Sequence, residues 1–140
     1  MIIRYVKILT MLLLNSNIAL ANNNFFKDGV DLFNSKKLDE AKLKFEQDIV
    51  QNPKSENSYL YLAKIFYNQK KTDLAEQNLE TVILLNPKNE EAIYNLAKIK
   101  LDLSDYKKSR ELNEKLTKLC KNFCGQSQQL KKEIQNLSKK

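Results

Sequence analysis

The chain has 140 residues and a formal net charge of +7, and it contains two glycines, two prolines and no histidine. So few glycines and prolines argue against a sheet protein with many tight turns, and good helix formers fill much of the remainder. The absence of histidine removes the commonest general base at neutral pH and the commonest metal ligand. We therefore expect an all-α protein that is not an enzyme and holds no cofactor or metal.

The N-terminal segment has the pattern of a secretory signal peptide. Arg4 and Lys7 come first, an apolar run follows at residues 8–14, and residues 19–21 supply an Ala-Leu-Ala sequence. This order is typical of a leader that is removed after small residues. The apolar run is too short and too interrupted by polar residues to span a membrane. We predict cleavage after Ala21, export to the periplasm or the medium, and a mature chain without a transmembrane segment.

A regular period, equal to the step from Pro53 to Pro87, runs through the body of the chain. Each of these prolines follows an apolar-periodic segment that ends in Asn. The same step aligns the small residues Gly29, Ala63 and Ala97. Apolar residues within each segment recur at the spacing of one helix face. Small residues at fixed positions let paired helices approach closely, so the period predicts stacked helix pairs.

This pattern resembles the tetratricopeptide repeat (TPR) family, whose unit is a 34-residue helix pair with small residues at fixed positions and a late proline. The resemblance implies an all-α fold, a right-handed superhelical solenoid of three TPR-like helix pairs. The pairs would occupy residues 22–55, 56–89 and 90–123, and residues 124–140 would form a C-terminal capping helix. Three stacked pairs are about the minimum for a stable array.

The third repeat departs from the family pattern at three positions. Ser109 replaces a small alanine, Asn113 replaces a bulky apolar residue, and Lys121 replaces the proline. Terminal repeats are often atypical. We expect the third pair either to be distorted or to be an ordinary terminal repeat.

Two cysteines, Cys120 and Cys124, lie at the end of the third repeat. On an unbroken helix their Cβ atoms would be about 5–6 Å apart, farther than the ~3.5–4.5 Å of a disulfide. A bond therefore requires the helix to end near Asn122, and Gly125 is the predicted place for the break. A local disulfide, two unbonded thiols and redox chemistry all remain open. No third cysteine or histidine is available to complete a zinc site.

The C-terminal segment, residues 115–140, carries most of the net positive charge, and the predicted capping helix lies within it. Leu130, Ile134 and Leu137 share one helix face, and residues 115–140 hold seven lysines against Glu133. We expect the apolar face to cover the end of the stack. Binding to an anionic membrane surface is a weaker alternative, because three apolar residues without Trp make a poor membrane face. Nucleic-acid binding is not expected, since arginines and aromatic residues are scarce in this segment.

In TPR domains the first helix of each pair lines a concave groove, so the resemblance also implies a set of partner-binding residues. Carried over position by position, they are Asn23, Phe26, Val30, Phe33, Asn34, Asn57, Leu60, Lys64, Tyr67, Asn68, Glu91, Tyr94, Lys98, Leu101 and Asp102. Asn side chains could hydrogen-bond an extended backbone, and aromatic rings supply contact area. Lys64 and Lys98, at the same repeat position, would favour an acidic partner. Phe26 and Phe33 have an alternative interpretation as core residues.

These features favour a non-enzymatic exported scaffold that binds a protein or peptide segment in its groove. The carboxylate-clamp pattern of chaperone-tail binders is not present, since Phe26, Val30 and Tyr61 occupy clamp positions. The acidic pairs, such as Glu90 with Glu91, are explained by helix starts. The alternative function is a structural or assembly subunit of a cell-envelope or secretion complex. Such a subunit would dock through its open end or its C-terminal helix.

Overall fold

A computed structural model describes residues 24–138, and within this range the chain is helical with no β-strand. The helices are α1 (Phe25–Asn34), α2 (Leu38–Gln51), α3 (Glu56–Asn68), α4 (Thr72–Leu85), α5 (Glu90–Asp102), α6 (Tyr106–Leu119) and α7 (Cys124–Leu137). The predicted signal peptide, residues 1–21, and the groove candidate Asn23 lie outside the described residues. Of the helices described, none has the length and apolar character needed to cross a membrane.

The helices stack in chain order as three pairs followed by a seventh helix. Contacts are most extensive within the pairs α1–α2, α3–α4 and α5–α6, and each pair also packs on the next. Helix α7 packs on α6 and reaches α5. Helices α3, α5 and α7 begin at Glu56, Glu90 and Cys124, which are equally spaced along the chain. The predicted all-α solenoid is confirmed, and α7 begins where the first helix of a fourth repeat would begin.

The turn inside each pair repeats one backbone motif. Lys36, Lys70 and Ser104 have φ angles of 62°, 61° and 62°, in the left-handed region. In the first turn the amide of Lys37 donates to the carbonyl of Leu32 at 3.0 Å, and the other two turns contain the matching bond. This is the Schellman termination, which usually uses glycine because a side chain is strained there. Here three non-glycine residues take the strained conformation.

The turns between pairs are built on Asn-Pro. Asn52 and Asn86 have extended backbones, with φ of −130° and −138°, as the residue before proline requires. Their Oδ1 atoms accept hydrogen bonds from the amides of Lys54 and Lys88 at 3.3 and 3.1 Å. These side-chain bonds close the turn between the pairs. Cys120 takes the same repeat position in the turn between α6 and α7.

A disulfide joins Cys120 and Cys124 across that turn, with their Cα atoms 5.2 Å apart. The helix is broken between the cysteines, as a disulfide requires, but the place predicted for the break, near Asn122 and at Gly125, was wrong. Helix α6 ends at Leu119, and Gly125 lies inside the first turn of α7. The reason is the repeat register, because the chain leaves the helix at the same repeat position as in the two Asn-Pro turns.

The third pair keeps regular packing by using buried polar bonds. Ser109 is fully buried, and its Oγ donates to the carbonyl oxygen of Ala97 at 2.8 Å. The buried amide of Asn113 donates to the carbonyl of Ser127 at 3.0 Å, and Thr117 bonds the Ser127 hydroxyl at 2.7 Å. Buried polar groups are tolerated when they are hydrogen-bonded. Ser109 therefore bonds α6 to α5 within the third pair, and the Asn113 amide nitrogen joins α6 to α7, without distorting the repeat.

Candidate functional site: a cavity between the first and third helix pairs

A cavity of about 370 Å³ opens on the side of the solenoid formed by the first helices of the pairs. We call it the central cavity. It is lined by side chains of α1, α3, α4 and α5, namely Phe33, Ala63, Lys64, Tyr67, Asn68, Leu79, Glu91, Tyr94, Asn95, Lys98 and Ile99. Aromatic rings form its walls, and Ala63, Leu79 and Ile99 are buried at its base. Such a volume accommodates one or two large side chains of a partner.

Seven residues predicted for the groove meet in this cavity: Phe33, Lys64, Tyr67, Asn68, Glu91, Tyr94 and Lys98. Residues three and four apart share one helix face, so α3 presents three of them together. Helix α5 presents the equivalent face one repeat later. Asn95 was missed, because its repeat position is not among the family's groove positions.

The placement of Leu60 in the groove was wrong. Leu60 is 5% exposed and belongs to the hydrophobic core, and Leu101 at 4% is in the same situation. Both helices lie within the stack, with α3 between α2 and α4 and α5 between α4 and α6. Neighbours on both sides therefore cover these side chains. Asn34 and Asn57 are exposed, but they are not among the residues that line the central cavity.

Phe26 and Val30 contribute to packing instead of lining the cavity, and both lie against the core. The Phe26 ring lies 6.0 Å from that of Phe45 and 5.9 Å from that of Tyr61. Phe45 and Tyr61 stack at 4.8 Å, and Phe33 meets Tyr61 edge-on at 5.1 Å. Aromatic pairs at these distances are favourable beyond their buried area. Phe33 thus serves both the packing of the first repeat and the cavity wall.

Both lysines of the central cavity are paired with glutamates of the same chain. Lys64 Nζ lies 2.5 Å from Glu91 Oε1, and Lys98 Nζ donates to Glu133 Oε2 at 2.9 Å. Burial disfavours the charged form of Lys98, but the bond to Glu133 outweighs it and raises the pKa of Lys98. The same bond lowers the pKa of Glu133. The lysines therefore give little reason to expect an acidic partner.

Tyr67 forms the lip of the central cavity and is tied to the next repeat. Its hydroxyl donates to Asp102 Oδ2 at 2.5 Å. This bond to Asp102, and then partial burial, raise the pKa of Tyr67 to about 12. A phenol with so high a pKa is a poor proton donor or acceptor at neutral pH. The bond orients the ring, and 41% of the residue remains exposed for contact.

No protein-family model matches this sequence, and no curated protein matches it. Among solved structures, the first TPR of Spaghetti (RPAP3) bound to the HSP90 peptide SRMEEVD is similar, with a TM-score of 0.73 and 20% identity. The match covers 81% of this chain and 90% of that one.

The Yersinia enterocolitica secretion chaperone SycD, in complex with a peptide of the translocator YopD, is similar with a TM-score of 0.74 and 16% identity. That match covers 83% of this chain and 92% of SycD. The TPR2B domain of yeast Sti1, in complex with pHsp70, has a TM-score of 0.73 and 14% identity, with 78% and 91% coverage. The fold is that of a tetratricopeptide-repeat domain. Identities this low establish the fold and leave the partner open.

In this TPR fold, the turn before α7 supports the α5 wall of the cavity. Phe123 in that turn packs on Tyr94, with ring centroids 5.6 Å apart. The Glu90 carboxylate accepts hydrogen bonds from the backbone amides of Lys121, Asn122 and Phe123 at 2.9–3.0 Å. Desolvation opposes ionisation, but these amides outweigh it and lower the pKa of Glu90. Sequence reasoning assigned Glu90 only to a helix start and missed this long-range role.

Helix α7 occupies the first-helix place of a fourth TPR but differs at its small-residue position. Gly29, Ala63 and Ala97 are buried there in the three repeats, whereas α7 has the exposed Lys131. A lysine at this position opposes the close approach of a further helix. Leu130 and Ile134, at 1% and 2% exposure, cover the end of the core.

Proposed function

We propose that this chain is a protein-interaction scaffold that holds an extended peptide segment of a partner in the central cavity. The observation that carries the proposal is the convergence of seven predicted groove residues on one cavity with an apolar base. Ligand sites are typically concave and largely apolar with a few polar groups. Asn68 and Asn95 are placed to hydrogen-bond a peptide backbone, and Tyr67 and Tyr94 supply aromatic contact.

The chemistry of the walls favours an apolar anchor side chain over an acidic group. Lys64 and Lys98 are already paired, so a ligand carboxylate would have to displace Glu91 or Glu133. An apolar side chain against Tyr67 and Tyr94 needs no such exchange, and burying apolar area contributes about 25 cal/mol per Å². The similar structures in complex with peptides support the binding of a peptide, whereas the chemistry of the anchor is argued from the residues of this cavity.

We further propose that the scaffold is exported after removal of residues 1–21 and that it has no enzymatic activity. Export is supported by the basic, apolar and small-residue order of the leader. The proposed lack of catalysis is supported by the contacts of three acidic side chains. Glu91 and Glu133 pair with lysines, and Glu90 accepts hydrogen bonds from backbone amides. Among residues 24–138, no cluster of three potential metal ligands occurs.

The test is selection of random phage-displayed peptides on the immobilised chain, followed by calorimetry with the enriched peptides. We expect enriched sequences to share an apolar residue, and Tyr67→Ala with Asn68→Ala to lose their binding. Leu43→Ala is the control, because Leu43 is 54% exposed on α2 and does not line the cavity. Failure to enrich any peptide, or equal binding by the Tyr67/Asn68 variant, would refute the proposal.

An assembly function through the C-terminal part is the second candidate. A groove of about 610 Å³ separates α6 from α7, and its rim carries Arg110, Lys118 and Lys131 against Glu114. Partners cross-linked to the exported chain would distinguish the two functions. Assembly through this groove would be favoured if the double variant Lys118→Glu with Lys131→Glu lost these cross-linked partners while Tyr67→Ala kept them. The reverse pattern would favour the central cavity.

A further inference from the structure

The turn between α6 and α7 is closed differently from the other turns between pairs. In the first two turns, an Asn side chain accepts a hydrogen bond from the backbone amide of the residue that follows the proline. In the third, the repeat position of Asn52 and Asn86 is taken by Cys120, which is bonded to Cys124. These are the only two cysteines of the chain. A covalent bond that a thiol can open thus takes the place of a side-chain hydrogen bond.

This turn is in contact with the binding cavity. Within it, Phe123 packs against Tyr94, which lines the central cavity. Three consecutive amides of the turn donate to Glu90, at the first residue of α5. Hydrogen bonds to a charged acceptor are about twice as strong as those between neutral groups. The turn is therefore attached to the helix that forms the far wall of the cavity.

The helix that follows the turn reaches the same wall. Helix α7 begins at Cys124 itself and carries Glu133, which accepts the hydrogen bond from Lys98. Lys98 also lines the central cavity. Two side chains of the cavity, Tyr94 and Lys98, thus have partners that depend on the position of α7.

We propose that the Cys120–Cys124 disulfide holds the α5 wall in its peptide-binding shape, so that the thiol redox state regulates the cavity. This inference rests on the proposed peptide binding. A dithiol reductant supplies two electrons and two protons, the S–S bond breaks, and both cysteines become thiols while the reductant becomes a disulfide. The reduced turn samples more conformations. Phe123 and Glu133 then leave Tyr94 and Lys98 without fixed partners for part of the time.

The experiment compares oxidised and dithiothreitol-reduced chain, using the tightest peptide from the phage selection. We expect reduction to weaken binding by at least about fivefold, the lower end of measured couplings between sites. Cys120→Ser with Cys124→Ser should match the reduced chain and show no response to reductant. Because coupling is reciprocal, saturating peptide should make the disulfide harder to reduce.

A ligand-independent readout keeps the two proposals apart. Hydrogen exchange of the α5 amides should accelerate on reduction, while the amides of α2 should not change. Faster α5 exchange without any peptide binding would refute the proposed function but support the coupling. Equal affinity and equal exchange in both redox states would overturn the coupling. Val82→Ala, a buried change in α4 outside the cavity, controls for general destabilisation and should leave the redox response intact.

Discussion

The ring of Phe45 fills the space that a side chain at residue 29 would need. A Cβ added to Gly29 would lie 2.7 Å from Phe45 Cε1, and Phe45 is fully buried. The other repeats have Ala63 and Ala97 at this position, and Leu79 and Asn113 at the position equivalent to Phe45. The smallest residue at the first position thus occurs in the repeat that has the largest residue at the second.

Gly29→Ala is therefore expected to destabilise the chain despite the helix propensity of alanine. Overpacking costs about 1–3 kcal/mol, and the gain in propensity is about 1 kcal/mol, so the net loss is up to about 2 kcal/mol. Gly125→Ala is the matched control. Nothing lies within 4 Å of its added Cβ, and it should stabilise α7 by up to about 1 kcal/mol. Urea unfolding of both variants measures the two changes in the free energy of unfolding. Changes of the same sign in the two variants would contradict the prediction.

Glycine at the left-handed turn positions should be stabilising. Lys36, Lys70 and Ser104 each have φ near 62°, a conformation that costs a non-glycine residue about 1–2 kcal/mol. Part of that gain is offset because glycine makes the unfolded chain more flexible. Lys36→Gly or Lys70→Gly should therefore raise the free energy of unfolding by about 0.5–1 kcal/mol. Lys132→Gly, inside α7, is the control and should lower it by about 1 kcal/mol.

The carboxylate of Glu90 should make stability depend on pH. Three backbone amides hold the pKa of Glu90 below its ordinary value. Ionisation of Glu90 therefore stabilises the folded state relative to the unfolded state. Its contribution is present above the ordinary carboxyl pKa and is lost as the pH falls through the lowered value. Glu90→Gln should therefore destabilise at neutral pH, and the difference from wild type should shrink in acid.

Glu56→Gln is the matched control for that measurement. Glu56 is the equivalent residue one repeat earlier, but it accepts a single side-chain bond, from Asn86 Nδ2 at 3.3 Å. At neutral pH, Glu56→Gln should lower the free energy of unfolding by less than Glu90→Gln does. A larger loss at Glu56 would mean that the three amides are not the cause.

Tyr67 should titrate well above the usual range of tyrosine. Its bond to Asp102 raises its pKa to about 12, so the stabilisation persists through neutral pH and is lost as the pH rises from about 10 to about 12. NMR titration of the Tyr67 Cζ resonance measures this directly. Asp102→Asn should bring the pKa down towards its ordinary value. An unchanged titration in that variant would contradict the assignment.

The sequence by itself determined the helical repeat. Three features indicate it: prolines one repeat apart, a small residue in each first helix, and apolar faces of helical period. These are local features, because each depends on neighbours within a few helical turns. Those features also place Lys64, Tyr67, Tyr94 and Lys98 on one side of the stack, since residues at equivalent repeat positions share a face.

Only the tertiary structure decided which of those side chains are available to a partner. The pairing of Lys98 with Glu133 and the bond from Tyr67 to Asp102 each join residues 35 positions apart. The burial of Leu60 likewise depends on helices packed on both sides of α3. Such contacts depend on the angle at which successive pairs stack, and no local pattern encodes that angle. The superhelix therefore neutralised two lysines that the sequence had presented as attractors for an acidic partner.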